Sequence, residues 1–302
     1  MPTLELVAIE VALFITVSLV SGNNLPACVG TLIGSGVARK RTGILIGIAG
    51  YIAGLLLQGS AMVRVSSLLF PSASPLLVAE ALSVTIVVFL SGIYLRVPLS
   101  LTMSLVGLIT GISVSRHMPI DTAYATTVIG TWFAAPLIAI ATSVLSIRLL
   151  GRSRPRDIWR RASTYKLMLL LSSFLAAYVL GANTMGVIVA VAGFSVQNVA
   201  VAVLAVPVGS FFLSRGGLQR IGMDIFSLRY SNALVALLDS VILVETATFF
   251  GLPLSNTQTL SAALFGTGIS YKERFLSAKP FILIVSGWIL AAMISFTIGL
   301  VI

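Results

Sequence analysis

The stretch Pro253-Leu-Ser-Asn-Thr-Gln-Thr-Leu-Ser261 sets a proline ahead of hydroxyl and amide side chains, inside sequence otherwise apolar enough for a lipid bilayer. A weaker copy, Pro98-Leu-Ser-Leu-Thr-Met-Ser104, stands in the first half. Polar groups at membrane depth are costly and mark sites more often than filler. Proline favours the first helical turn, where its missing N–H is not needed. Ser100, Thr102, Ser255 and Thr257 then fall near the start of a half-helix. Hydroxyls, free backbone N–H groups and the positive dipole end can converge there on an oxyanion. Asn256 and Gln258 add amide donors. Ser and Thr in membrane helices also bond backward to the backbone or hold helices together. Two copies in matching places favour a site over that reading.

A second pair of breaks carries Asn23 and Asn24, in Gly22-Asn-Asn-Leu-Pro26, and Asn183 and Thr184, in Gly181-Ala-Asn-Thr-Met-Gly186. These side chains can donate to an anion or offer oxygens to a cation, and they suit helix caps and tight turns equally. Four carboxylates, Glu10, Glu80, Asp239 and Glu245, lie within apolar runs. A carboxylate in a bilayer must be paired, neutralised or wet. They are candidates for proton or cation coupling, or else protonated packing residues. Glu245 is favoured because it stands eight residues before Pro253.

Enzymatic chemistry finds little footing. His117 is the single histidine and Cys28 the single cysteine, so neither a His-pair metal site nor an internal disulfide is expected. Nucleophile-elbow and phosphate-loop glycine patterns are absent. No cofactor is expected beyond a coupling H⁺ or Na⁺.

The elements that must position these residues are membrane helices. The chain of 302 residues is 58% hydrophobic and 9% charged, against about 25% charged for a soluble domain. Several apolar runs reach the roughly 18 residues that read as spans. The net charge of +10 comes from 19 Lys and Arg held in short loops. That is the positive-inside pattern, and it excludes nucleic acid as a partner. Glu5 and Glu10 at the N-terminus argue against a cleaved signal peptide.

Spans are expected at about 4–21, 43–62, 75–95, 99–114 and 123–147 in the first half. In the second they are expected at about 167–180, 196–213, 231–250, 254–269 and 280–302. Gly22, Gly30, Gly34, Gly36 and Pro26 predict an interrupted or re-entrant helix after the first span, and residues 181–194 its equivalent. From Asn23 to Pro98 is 75 residues and from Asn183 to Pro253 is 70, which reads as an internal repeat. The organisation is therefore an all-α polytopic membrane protein: a first repeat over 1–150, a basic cytoplasmic linker over 151–165 and a second repeat over 166–302. With five spans per half and the central loop inside, 17 of the 19 Lys and Arg face the cytoplasm, leaving Arg64 and Arg116 outside. An odd number of spans inverts the second repeat and places both termini outside.

These motifs resemble the inorganic phosphate transporter (PiT) family, which also includes sulfate permeases. The family's Gly-Ala-Asn-Asp motif is similar to Gly181-Ala182-Asn183, with Ser21-Gly22-Asn23 as a degraded partner; its Pro-Val-Ser-Thr-Thr-His motif is similar to the segments at Pro253 and Pro98. The family Asp is Asn24 and Thr184 here, the following Asn is Ala27 and Val187, and the motif His is Met103 and Gln258. The resemblance implies a symporter of phosphate or sulfate working by alternating access. It assigns substrate contacts to Asn23, Ser100, Thr102, Asn183, Ser255, Asn256 and Thr257. Ion-coupling roles fall to Asn24, Thr184 and Gln258 at the family's motif positions, and to Glu245, Asp239 and Glu80 from their place in apolar runs. Loss of the Asp positions weakens a Na⁺ site and leaves proton coupling through Glu245 as the leading expectation. A passive anion channel and a homo-oligomeric assembly stay open.

Overall fold

A computed structural model describes residues 4–94, 100–150, 158–214, 230–270 and 278–302. Pro98, Arg96, the centre of the basic linker (151–157), Arg215, Arg220, Arg229, Lys272 and Arg274 lie outside these residues.

The chain runs α1 (Leu4–Gly34), α2 (Lys40–Gln58), a 3₁₀ turn (Gly59–Met62), α3 (Val63–Leu69), α4 (Pro75–Tyr94), α5 (Leu101–Ser115) and α6 (Thr122–Leu150). It continues with α7 (Ile158–Leu180), a π turn (Gly181–Met185), α8 (Gly186–Ala192), α9 (Val196–Phe212), α10 (Tyr230–Phe249), α11 (Asn256–Ser270) and α12 (Ala278–Val301). Among the described residues, six helical stretches are long and apolar enough to cross a membrane. A helix suits lipid because it satisfies its backbone groups within the segment. Large apolar side chains such as Leu57, Phe133 and Leu137 point outward, while Thr16, Ser21, Ser172 and Asn183 are buried.

Three expectations are corrected. The break after the first span is not a break: α1 is helical through Gly22, Pro26 and Gly30, and stops at Gly34, followed by a turn at Gly36, whose φ is 71°. Pro26 deprives the Gly22 carbonyl of its helical donor, yet Cys28, Val29, Thr31 and Leu32 beyond it are buried. That packing holds the helix together. In the second half the break at Gly181 is a π turn inside one continuous apolar stretch from Ser163 to Ala192. Conversely, α5, expected as a span, has 15 residues. At about 22 Å it falls short of a hydrocarbon core of about 30 Å. Helix α7 as described includes residues 158–165 of the linker placed at 151–165.

The helices pair in a reciprocal pattern. α1 packs on α9 and α2 on α7, while α5 packs on α12 and α6 on α11. Glycines set these crossings. A Cβ on Gly22 of α1 would lie 2.5 Å from the Leu213 Cβ at the end of α9. One on Gly107 of α5 would lie 2.5 Å from the Ala292 carbonyl oxygen of α12. Small residues at such contacts allow backbones to approach, which drives helix association in lipid.

Candidate functional site

Two half-helices start at one small cavity. Helix α5 begins beneath Ser100, whose extended backbone (φ −92°, ψ 116°) lets its Oγ accept from the Met103 N–H at 3.4 Å. This N-cap geometry leaves the Ser100 hydroxyl proton for another acceptor. Helix α11 begins beneath Ser255, whose carbonyl accepts from the Thr259 N–H at 3.2 Å. Ser255 Oγ and Thr257 Oγ1 stand 3.0 Å apart in its first turn. These starts are 155 positions apart in sequence and line the same cavity.

The remaining walls are Asn23 and Asn24 from α1, Phe89 from α4, Leu101, Leu180, and Thr184 from the π turn. Thr102 donates to the Thr184 hydroxyl at 3.3 Å, tying the first half-helix to the second-half motif. Asn23 is exposed and Asn24 half-buried, so the cavity opens along α1. Its free volume is about 10 Å³, on the order of one water. No lining residue is ionisable. Asn256 is 3% exposed; its Oδ1 accepts from Ser240 at 2.9 Å, while its Nδ2 has no partner. An unpaired buried donor on a cavity wall costs stability unless a ligand meets it.

Asn183 does not line this cavity. Its Nδ2 donates to Thr248 Oγ1 at 2.9 Å and to the Leu252 carbonyl at 3.0 Å, and its Oδ1 accepts from the Leu254 N–H at 3.0 Å. It belongs to a clamp on the loop that leads into α11. Four consecutive carbonyls of that loop are each held by a different side chain. Arg64 donates to Phe250 at 3.2 Å, Tyr124 to Gly251, Asn183 to Leu252, and Trp132 Nε1 to Pro253 at 2.8 Å. The Arg64 guanidinium also stands 5.4 Å from the centre of the Tyr124 ring. Gln258 supports the same corner, its Nε2 donating to the Trp132 carbonyl at 2.8 Å. Asn183 and Thr184 are neighbours in the π turn, and their side chains meet different partners.

The carboxylates named from the sequence also lie outside the cavity lining. Asp239 accepts from Ser146 of α6 at 3.4 Å, and its other oxygen is buried without a partner. Glu245 is half-buried with Oε2 unpartnered. Glu80 is half-buried in the first turns of α4. Glu10 accepts from Gln197 of α9 at 2.5 Å. His117 is exposed at the end of α5, as a surface residue should be. Trp288 is fully buried, which makes it a packing residue.

A larger lateral groove of about 570 Å³ lies between α5, α6 and α12, walled by residues such as Val106, Phe133, Ile289 and Phe296. Its walls are almost wholly apolar, so it offers an anion nothing. Ser240, Thr248, Trp132, Tyr124 and Arg64 carry no sequence signal of a role at the site. Their partners are mostly backbone carbonyls, which leave no mark in sequence.

The chain is similar in sequence to a candidate phosphate permease of Methanocaldococcus jannaschii, 23% identical over 301 residues, covering 99% of this chain and 96% of that protein. In fold it matches a solved structure titled "The sodium-dependent phosphate transporter", with a TM-score of 0.83 at 15% identity over 99% of both chains. The family model described as the phosphate transporter family matches residues 20–299. With the family model spanning nearly its whole length, from α1 to α12, the chain belongs to the phosphate transporter family.

Proposed function

We propose that this chain is a secondary transporter that moves inorganic phosphate across the cytoplasmic membrane by alternating access. One observation carries the reading: Ser100 and Thr102 at the start of α5 line one cavity with Ser255, Asn256 and Thr257 at the start of α11. Two half-helix N-termini aimed at one point, dressed with hydroxyl and amide donors, are what a tetrahedral oxyanion needs in a dry site. Asn23, Asn24 and Thr184 complete the donor set. The two halves act as inverted repeats; the reciprocal pairing of α1 with α9 and α2 with α7 supports that relation. In this orientation the basic linker faces the cytoplasm and both termini face outward, following the placement of the Lys and Arg residues.

Coupling runs through a proton taken up at Glu245. Its unpartnered oxygen and its place on α10, the helix feeding the clamped loop, support this. Because Glu245 stands outside the cavity, it acts by shifting α10 and α11 rather than by touching the anion. A sulfate permease is the second reading, favoured by the absence of a carboxylate among the lining residues. A protonated phosphate gains from an acceptor, and a fully ionised sulfate does not.

Uptake of labelled phosphate and labelled sulfate into proteoliposomes, each with and without Na⁺ and a pH gradient, tests this. Uphill phosphate accumulation driven by the pH gradient is expected. Sulfate uptake without phosphate uptake would overturn the substrate, and strictly downhill flux would point to a channel.

A further inference from the structure

We propose that Ser240 of α10 is a positioning residue that fixes the Asn256 amide with its N–H donors turned into the cavity; this rests on the anion-site reading above. Ser240 is fully buried, and its Oγ lies 2.9 Å from Asn256 Oδ1 and 2.6 Å from Thr259 Oγ1. Thr259 in turn reaches the Asn256 carbonyl at 3.1 Å. All three side chains are nearly closed to water, so each proton must be accounted for within the cluster.

The two hydroxyls share two protons. With Thr259 donating to Ser240 and Ser240 donating to Asn256 Oδ1, the carbonyl end of the amide is satisfied. Only Nδ2 is then left without a partner, on a residue that lines the cavity. With the protons reversed, Ser240 donates to Thr259 and Oδ1 loses its donor, stranding a second buried polar atom. Turning the amide over would set Oδ1 against the anion, lone pair to negative oxygen. An anion therefore selects the arrangement in which Ser240 donates and Asn256 presents two N–H groups. Ser240 never touches the substrate. It acts on affinity by removing the rotational freedom of the side chain that does.

The test is a double-variant cycle on phosphate uptake by proteoliposomes. Ser240→Ala, Asn256→Ala and the double variant are compared, with Ser255→Ala and Thr257→Ala as controls for direct contact. Ser240→Ala should raise KM for phosphate about ten-fold while the maximal rate per folded protein is kept. In the Asn256→Ala background the same change should do nothing further, because the group it orients is gone. Ser240→Cys keeps the size with a weaker donor; an intermediate KM is expected, and it guards against a folding loss in the alanine variant. Equal, additive increases in both backgrounds would overturn the proposal. So would an unchanged KM in Ser240→Ala and Ser240→Cys while the two controls raise theirs. Unchanged KM in both controls would instead refute the site itself, and the proposal with it.

Discussion

Asn183 provides a sharp discrimination between contact with substrate and support of the structure around it. Asn183→Ala removes three hydrogen bonds of 2.9–3.0 Å. It leaves the Leu254 N–H and the Leu252 carbonyl without the partner that holds them. A buried group stripped of its partner costs about 1–3 kcal/mol, and the half-buried Leu252 should fall at the low end. The summed loss is about 2–4 kcal/mol, which would lower the unfolding temperature in detergent by several degrees. Maximal phosphate uptake should fall, because the loop that starts α11 loses one of its four anchors. Phosphate KM should move far less than in Thr257→Ala. Asn183→Asp should be no milder, since a carboxylate oxygen would face the Leu252 carbonyl where Nδ2 now donates. Thermal unfolding followed by tryptophan fluorescence, with uptake kinetics on the same preparations, checks both parts. An Asn183→Ala protein with unchanged thermal stability and a strongly raised KM would show the reasoning to be wrong and return Asn183 to the substrate.

Three further outcomes are expected. Asn256→Asp places a carboxylate on the cavity wall and should abolish binding of labelled phosphate in detergent, without loss of monodisperse protein on size exclusion. Gly54→Leu should prevent assembly, because a Cβ there runs into the Tyr178 backbone where α2 crosses α7; yield of folded protein reads this out. Glu245→Gln should keep downhill phosphate exchange and lose accumulation driven by a pH gradient; retention of gradient-driven uptake would remove Glu245 from coupling.

The sequence exposed the cavity well, since Ser100, Thr102, Ser255, Asn256 and Thr257 announce themselves as polar groups in apolar surroundings. They do line one cavity, with Asn23, Asn24 and Thr184. Glycine and proline misled at α1. In water, Gly22, Pro26 and Gly30 would end a helix, but in lipid an open backbone costs more than a lost propensity. Gly22 serves instead as the place where α9 comes close. Asn183 and Thr184 are neighbours of similar chemistry, and their residue types do not say which of them reaches the cavity. The clamp was invisible for another reason. Arg64, Tyr124 and Trp132 stand more than a hundred positions from the carbonyls they hold, and a carbonyl has no letter in the sequence. Ser240 stands beside Asp239, whose charge is the stronger sequence signal, although it is the Ser240 hydroxyl that bonds Asn256.

The uncharged lining of the cavity bears on the membrane voltage. With no ionised side chain on its walls, the loaded cavity carries only the charge of the anion it holds. Across an interior-negative potential of 100 mV, inward movement of one negative charge is opposed by about 2.3 kcal/mol, and of two by about twice that. Each cation moved inward with the anion offsets one such charge. Any surplus cation would turn the voltage from an obstacle into the driving force, and uptake would then quicken on hyperpolarisation.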